Sequence, residues 1–182
     1  YQQNTMRDAL TAAIHLNIFN KHADRVHVAN LAQTVNVLQS VILTSDDKMV
    51  LTPTWHVFRM FRVHQNARLL TTDLKCEEYE FQGSRITALS ASASVDNEGK
   101  IHVSLANLNP NKEITVTCPV IGAVIKTVRG EILTADQMNA CNTFEKPETV
   151  KTGQFRGFKV KDGVITVRMP AKSVVMLELE EK

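Results

Sequence analysis

Apolar and polar positions change their spacing once along this 182-residue chain, near residue 68. Before that point apolar residues recur at helical intervals; after it they mostly recur every second residue. In the first part Ala9, Leu10, Ala13, Ile14, Leu16 and Phe19 share one broad face, which predicts a helix from Met6 to about residue 23. Thr5 is its candidate N-cap, Asp8 suits the positive pole of the helix and His22 the negative pole. Residues 25–31 alternate briefly and predict a short strand, residues 32–43 fit helix or strand, and Ser45-Asp46-Asp47-Lys48 predicts a turn. Thr52-Pro53 opens a second helix, because threonine caps well and proline at the first helical position forfeits no hydrogen bond. Its apolar face carries Trp55, Phe58, Met60, Phe61 and Val63, with Arg59 and Arg62 toward solvent. Helix, strand, helix is a piece of a βα-repeat architecture, and one strand cannot make a sheet alone.

The second part reads as antiparallel strands. Leu89, Ala91, Ala93 and Val95 alternate with Ser90, Ser92 and Ser94, and Asp96-Asn97-Glu98-Gly99 is a hairpin turn. Ile101, Val103 and Leu105 alternate with His102, Ser104 and Ala106; after a turn containing Pro110, Ile114, Val116 and Cys118 alternate with Glu113, Thr115 and Thr117. Further strands are expected over 120–128, 154–160, 164–168 and 173–179, with 136–151 a long polar loop across one end. All seven glycines lie after residue 80, in keeping with a turn-rich half. Short strands separated by turns predict an antiparallel sandwich or jelly roll. Its inward set is Leu89, Ala91, Val103, Leu105, Ile114 and Val116, with the three serines facing out, because a one-residue slip would expose the whole apolar set.

Composition adds mainly exclusions. Hydrophobic residues are 43% and charged residues 22%, as in ordinary globular domains, which excludes disordered, collagen-like and coiled-coil classes. Apolar runs such as Val41-Ile42-Leu43 are too short for a membrane-spanning helix. With 21 basic against 19 acidic residues, nothing favours a nucleic-acid or membrane-surface partner. Cys76, Cys118 and Cys141 form no CxxC pair or zinc spacing and are expected to be reduced thiols. The first residue is Tyr1 and no leader follows, so the chain is expected to be a piece of a longer protein.

Candidate chemistry is sparse. There is no Gly-rich phosphate loop, HExxH or GxSxG. His15 and His22 share a helix face without a third metal ligand, and His56 and His64 are expected at the surface. Asn97-Glu98 has the letters of a glycosidase acid/base pair, but its place between two alternating strands makes it a solvated turn. Glu77-Glu78 and the Glu178, Glu180, Glu181 cluster are expected on solvated faces. No metal or cofactor is expected.

A longer set of residues resembles a known family. The segment His22-Ala23-Asp24-Arg25-Val26, with the helix before it and Ala29-Asn30-Leu31-Ala32-Gln33-Thr34-Val35-Asn36-Val37-Leu38 after it, is similar to the alpha-L-arabinofuranosidases of glycoside hydrolase family 51. So are Leu51-Thr52-Pro53-Thr54, Val103-Ser104-Leu105-Ala106-Asn107, Gly130-Glu131-Ile132-Leu133-Thr134-Ala135, Met138-Asn139-Ala140, Asn142-Thr143-Phe144-Glu145 and Met169-Pro170-Ala171-Lys172-Ser173-Val174-Val175. Cys141 departs from the pattern, which has histidine there.

The resemblance implies a (β/α)8 barrel followed by a jelly roll. Residues 1–67 would be the last helix-strand-helix piece of the barrel and residues 68–182 the C-terminal sandwich, an α+β fragment overall. The helix faces with Leu10, Ile14, Phe58 and Phe61 would cover the barrel. The implied activity is retaining hydrolysis of terminal α-L-arabinofuranosyl residues from arabinan- or arabinoxylan-type saccharides. Its glutamate acid/base and glutamate nucleophile would both lie before Tyr1, so no catalytic residue is expected in this chain, which alone would be inactive. Gln33, just after the eighth strand, matches the family's glutamine that hydrogen-bonds the arabinose. The expected partners are arabinose-containing oligosaccharides, with the parent a homo-oligomer in the cytoplasm or periplasm. The alternative is a non-catalytic carbohydrate-binding or interaction sandwich.

Overall fold

A computed structural model describes residues 4–181. The outermost residues of the two expected parts, 1–3 and 182, lie outside the described residues. In chain order the elements are α1 (Met6–Lys21), β1 (Ile42–Ser45), β2 (Lys48–Leu51), α2 (Pro53–Phe61), a 3₁₀ turn (Arg62–His64), β3 (Arg68–Leu70), β4 (Glu78–Phe81), β5 (Ser84–Thr87), β6 (Leu89–Val95), β7 (Ile101–Asn107), β8 (Ile114–Pro119), β9 (Ile125–Thr134), β10 (Thr152–Gln154), β11 (Phe158–Lys161), β12 (Val164–Met169) and β13 (Ser173–Glu181). The strands are antiparallel throughout. A six-stranded sheet has the order β10-β9-β13-β7-β6-β3 and a three-stranded sheet the order β11-β12-β8; β1-β2 and β4-β5 are separate hairpins.

Three layers result. Leu89, Ala91, Val103, Leu105, Val175, Leu177 and Leu179 point from the large sheet toward Ile165, Val167 and Met169 of the small one, closing one core. Ala106, Leu133, Val174 and Met176 point from the opposite face of the large sheet into a second core. There they meet Met6, Leu10 and Ala13 of α1 and Val57, Met60 and Phe61 of α2. Burying a side chain of that size stabilises by about 1.5–3 kcal/mol relative to exposure, so the helices are fastened to the sheet by packing. Leu10 and Phe61, expected to cover a barrel, therefore face the sheet, and Ile14 packs against the same core, while Phe58 lines an open cleft.

The inward apolar set holds in register: Ala91 lies opposite Leu105 and Ala93 opposite Val103. Ile114 and Val116 are half-buried on β8. The serine face corrects the expectation. Ser92 and Ser94 are fully buried, because α1 and the 3₁₀ turn cover the face that a two-layer sandwich would leave wet.

Local chemistry explains the ends of the helices. The Asp8 carboxylate accepts the Thr5 backbone N–H at 2.8 Å and the Thr5 hydroxyl at 2.7 Å. Met6 and Arg7 donate to the carbonyls of Ala140 and Met138, so the 136–151 loop docks on the start of α1. Asn142 ties that loop to itself and to the end of β2, donating to Val150 O at 2.9 Å and Leu51 O at 2.8 Å. Thr52 caps α2, its hydroxyl accepting from Trp55 N and donating to Ser40 O at 3.0 Å.

Three expected strands differ. The expected 25–31 strand is absent: Arg25 ends a turn, and residues 26–31 form no ladder, since no described strand lies beside them to accept their hydrogen bonds. The 120–128 strand is displaced to β9, after an exposed loop in which Ile121 is 95% exposed and Gly122 has φ +86°. The 154–160 strand is two strands in different sheets. Between them the chain crosses over and Phe155 plugs the core. The crossing requires glycine: a Cβ at Gly157 would sit 2.7 Å from the Phe155 ring and 2.9 Å from Arg168 O.

Candidate functional site

Gln33 follows the ladder-free 26–31 segment and is exposed, with φ +58°. Beside it an open cleft of about 670 Å³ lies between that segment and α2, lined by Ala29, Asn30, Leu31, Thr34, Trp55, Phe58 and others. Gln33 itself does not line the cleft. Val41, Trp55 and Phe58 make its walls mostly apolar, and no carboxylate lines it. Arg59, at its edge, is already engaged: it pairs with Glu131, donates to Thr152 Oγ1 at 2.8 Å and lies 5.9 Å from the Trp55 ring centroid. The cleft thus lacks the acid and base that glycoside cleavage needs.

A buried polar constellation sits between α1 and the large sheet. Asn17 is fully buried. Its Oδ1 accepts from Ser92 Oγ at 2.8 Å and Ser104 Oγ at 2.7 Å, and its Nδ2 donates to Ser90 Oγ at 3.1 Å. Asn20, one turn on, donates to Ser92 Oγ at 3.0 Å. His64 spans Ser94 Oγ at 2.7 Å through Nδ1 and Ser104 Oγ at 3.0 Å through Nε2. Since Ser104 donates its proton to Asn17, the consistent assignment puts the His64 proton on Nε2, leaving Nδ1 to accept from Ser94. Burial, with the nearby His102 adding to it, depresses His64 to about 4. The ring is therefore neutral near pH 7.

His64 was expected at the surface and is instead half-buried. The helical face that looked solvated meets the serine stripe of β6 and β7. His56 is corrected likewise: it is half-buried, stacked edge-on to Trp55 at 5.1 Å. Burial first, and Arg59 second, lower its pKa.

Serine, histidine and aspartate thus occur together, but not wired as a nucleophile relay. His102 Nε2 lies 2.8 Å from Asp96 Oδ2, and that bond chiefly holds the Asp96 carboxyl below its usual range. The histidine that touches serines is His64, so among the described residues no single imidazole links a carboxylate to a hydroxyl. The serines lie under α1, closed to substrate. This layer fastens the helices to the sheet.

The Asn97-Glu98 turn is as expected: Asp96 Oδ1 accepts from Glu98 N at 2.9 Å and Lys100 N at 3.0 Å, and Gly99 takes φ +82°. Glu77 pairs with Lys112 at 2.7 Å, and Glu178 and Glu180 with Arg129 at 3.3 and 3.5 Å, all on exposed or half-exposed faces. Burial raises the thiols of Cys118 and Cys141 above their ordinary pKa, and no disulfide joins the described cysteines. Among the described residues no group of histidine, cysteine, aspartate and glutamate could hold a metal ion.

Sequence reading missed the Asn17–Ser92–Ser104–His64 layer. The available signal was Asn17 itself, which interrupts the apolar stripe of Leu10 and Ala13 on the next turn of the same face.

Comparison with known proteins gives a consistent picture. The profile of the alpha-L-arabinofuranosidase C-terminal domain matches residues 1–173. An intracellular exo-alpha-L-arabinofuranosidase of Bacteroides ovatus is 46% identical over 181 residues, 99% of this chain and 35% of that protein. The crystal structure of the GH51 arabinofuranosidase from Xanthomonas axonopodis pv. citri superposes with a TM-score of 0.96 at 41% identity, over 99% of this chain and 36% of that one. An arabinose complex of the Thermotoga maritima alpha-L-arabinofuranosidase gives a TM-score of 0.84 at 25% identity, over 100% of this chain and 39% of that one. The chain spans about a third of the length of the relatives it matches.

Proposed function

Because this chain belongs to the alpha-L-arabinofuranosidase C-terminal domain family, we propose that it is the C-terminal third of an enzyme that removes terminal α-L-arabinofuranosyl residues from arabinan- or arabinoxylan-type saccharides with retention. The observation that carries this reading is the likeness of nearly the whole chain, in sequence and in fold, to arabinofuranosidases of glycoside hydrolase family 51. Residues 1–67 are read as the last helix-strand-helix piece of a (β/α)8 barrel and residues 68–182 as a C-terminal jelly roll.

Two features support the barrel reading. Residues 26–31 have no ladder partner among the described residues and are exposed or half-buried, which suits a segment whose sheet neighbours lie in the rest of a barrel. Val28 and Leu38 are 72% and 71% exposed, and Ile18 and Phe19 of α1 are exposed as well, as expected where a further layer packs. The jelly-roll reading is supported by the antiparallel sheets closing on one core.

In this scheme the chain's own contribution to binding is Gln33. The loops after barrel strands build the site in such folds, and a primary amide offers a donor and an acceptor to a sugar hydroxyl. The two carboxylates of a retaining mechanism, about 5–5.5 Å apart, belong to the two-thirds of the enzyme outside the shared length.

The test compares two proteins on an aryl α-L-arabinofuranoside. The full-length enzyme cleaves it and the purified chain alone does not. Turnover by the chain alone would overturn the placement of the chemistry. In the full-length enzyme Gln33→Ala lowers kcat/KM several-fold at unchanged Tm, since one hydrogen bond contributes about 0.5–1.5 kcal/mol.

A further inference from the structure

The loop that carries Gln33 is tied down at Thr34, Val35, Asn36 and Ser40. Thr34 O accepts from Val41 N at 3.2 Å and Ile42 N at 3.1 Å, so the residue after Gln33 closes the loop on itself. Val35 forms an isolated parallel bridge with Ile42. Asn36 grips the far side three times: its N–H donates to Ile42 O at 3.1 Å, its Oδ1 accepts from Thr44 N at 2.8 Å, and its Nδ2 donates to Thr44 Oγ1 at 2.8 Å. The loop's other end is anchored at Ser40, whose carbonyl accepts from Asn4 Nδ2 at 2.9 Å and Thr52 Oγ1 at 3.0 Å.

Two residues of this loop are left-handed, Gln33 at φ +58° and Asn36 at φ +55°. Asparagine visits that region readily; glutamine does not, and glycine would do so without strain. Gln33 is thus an exposed glutamine on a backbone that glycine would adopt without strain.

Resting on the reading of Gln33 as a sugar contact, we propose that Asn36 is a positioning residue for it: the clamp on Thr44 fixes the loop that begins at Gln33 and presents its amide in one pose to an arabinofuranosyl hydroxyl. Without the side-chain clamp on Thr44 the loop keeps its Thr34 and Val35 ties to residues 41–42 but loses its hold on Thr44, and the Gln33 amide is held less firmly in one pose.

A double-mutant cycle in the full-length enzyme tests this, with kcat/KM on an aryl α-L-arabinofuranoside as the readout and Tm as the control for folding. Asn36→Gly keeps the left-handed backbone and removes the clamp. It is expected to lower kcat/KM roughly two- to tenfold and to add nothing in the Gln33→Ala background, because residues acting through one another are non-additive. Asn36→Asp retains most of the activity, since Oδ1 still accepts from Thr44 N and the Thr44 hydroxyl can turn to donate. Gln33→Gly, relieved of strain, melts above Gln33→Ala.

If Gln33→Ala is costly and Asn36→Gly adds its full effect to it, the sugar contact stands and the positioning role falls. Wild-type kinetics for Asn36→Gly also remove that role. Wild-type kinetics for Gln33→Ala remove the contact, and the positioning role with it.

Discussion

Acid should loosen the helix layer from the sheet through one residue. His64 sits between Ser94 and Ser104, with the Phe61 ring 5.6 Å away, and its pKa is lowered from 6.5 to about 4, by burial first and by His102 second. A group with a depressed folded-state pKa contributes stability that is present above its unfolded value and is lost as pH falls through the folded one. The window here is pH 6.5 to about 4. At 1.36 kcal/mol per pKa unit the shift corresponds to about 3 kcal/mol at most, or roughly 6–12 °C in Tm for a chain of this size. The assay is thermal unfolding from pH 7.5 to 4 for the wild type and for His64→Gln, whose amide can still bridge two hydroxyls but cannot titrate. His102, which acts on His64, and its partner Asp96 remain in both proteins, as does His56, so their contributions largely cancel in the difference. The wild type should lose that much more stability than His64→Gln across the window. Parallel pH profiles for the two proteins would refute the reasoning.

Two further substitutions probe packing. Asn17→Leu removes the acceptor shared by the buried Ser92 and Ser104 hydroxyls, leaving them only each other and the Ser92 carbonyl as acceptors, and should cost about 1–3 kcal/mol by urea denaturation; adding Ser92→Ala and Ser104→Ala should recover much of that loss, and no recovery would mean that Asn17 matters by shape alone. Gly157→Ala places a methyl against the Phe155 ring and the Arg168 carbonyl; it should lower stability by about 1–3 kcal/mol, and an unchanged denaturation midpoint would show that the sheet crossing tolerates a side chain.

The alternation from Leu89 to Leu105 gave two strands, their turn and their inward face, because period-two burial against one core leaves a direct imprint. The same pattern could not say what covers the other face. Ser90, Ser92 and Ser94 would read alike under water or under asparagines, and only Asn17 and Asn20 on α1 hinted at the latter. The crossing at Phe155–Gly157 was illegible for another reason: a strand that changes sheets keeps its local alternation, and the steric need for Gly157 arises from Arg168 and Phe155 in three dimensions. Residues 25–31 alternate as a strand does, yet pairing is a property of neighbours. Gln33 came from family resemblance; its left-handed backbone has no signature in a Gln-Thr step. Asn36, a residue type at home in that conformation, was visible in the sequence without its purpose.

Strand β7 has hydrogen-bonded neighbours on both edges, β6 and β13, and all seven of its residues are buried. No local fraying reaches its amides, so their exchange with deuterated solvent requires the cooperative opening of the whole molecule. The slowest-exchanging protons along Ile101–Asn107 should therefore read out global unfolding free energy directly, while those of the β4–β5 hairpin, whose residues are mostly exposed, should exchange through small openings.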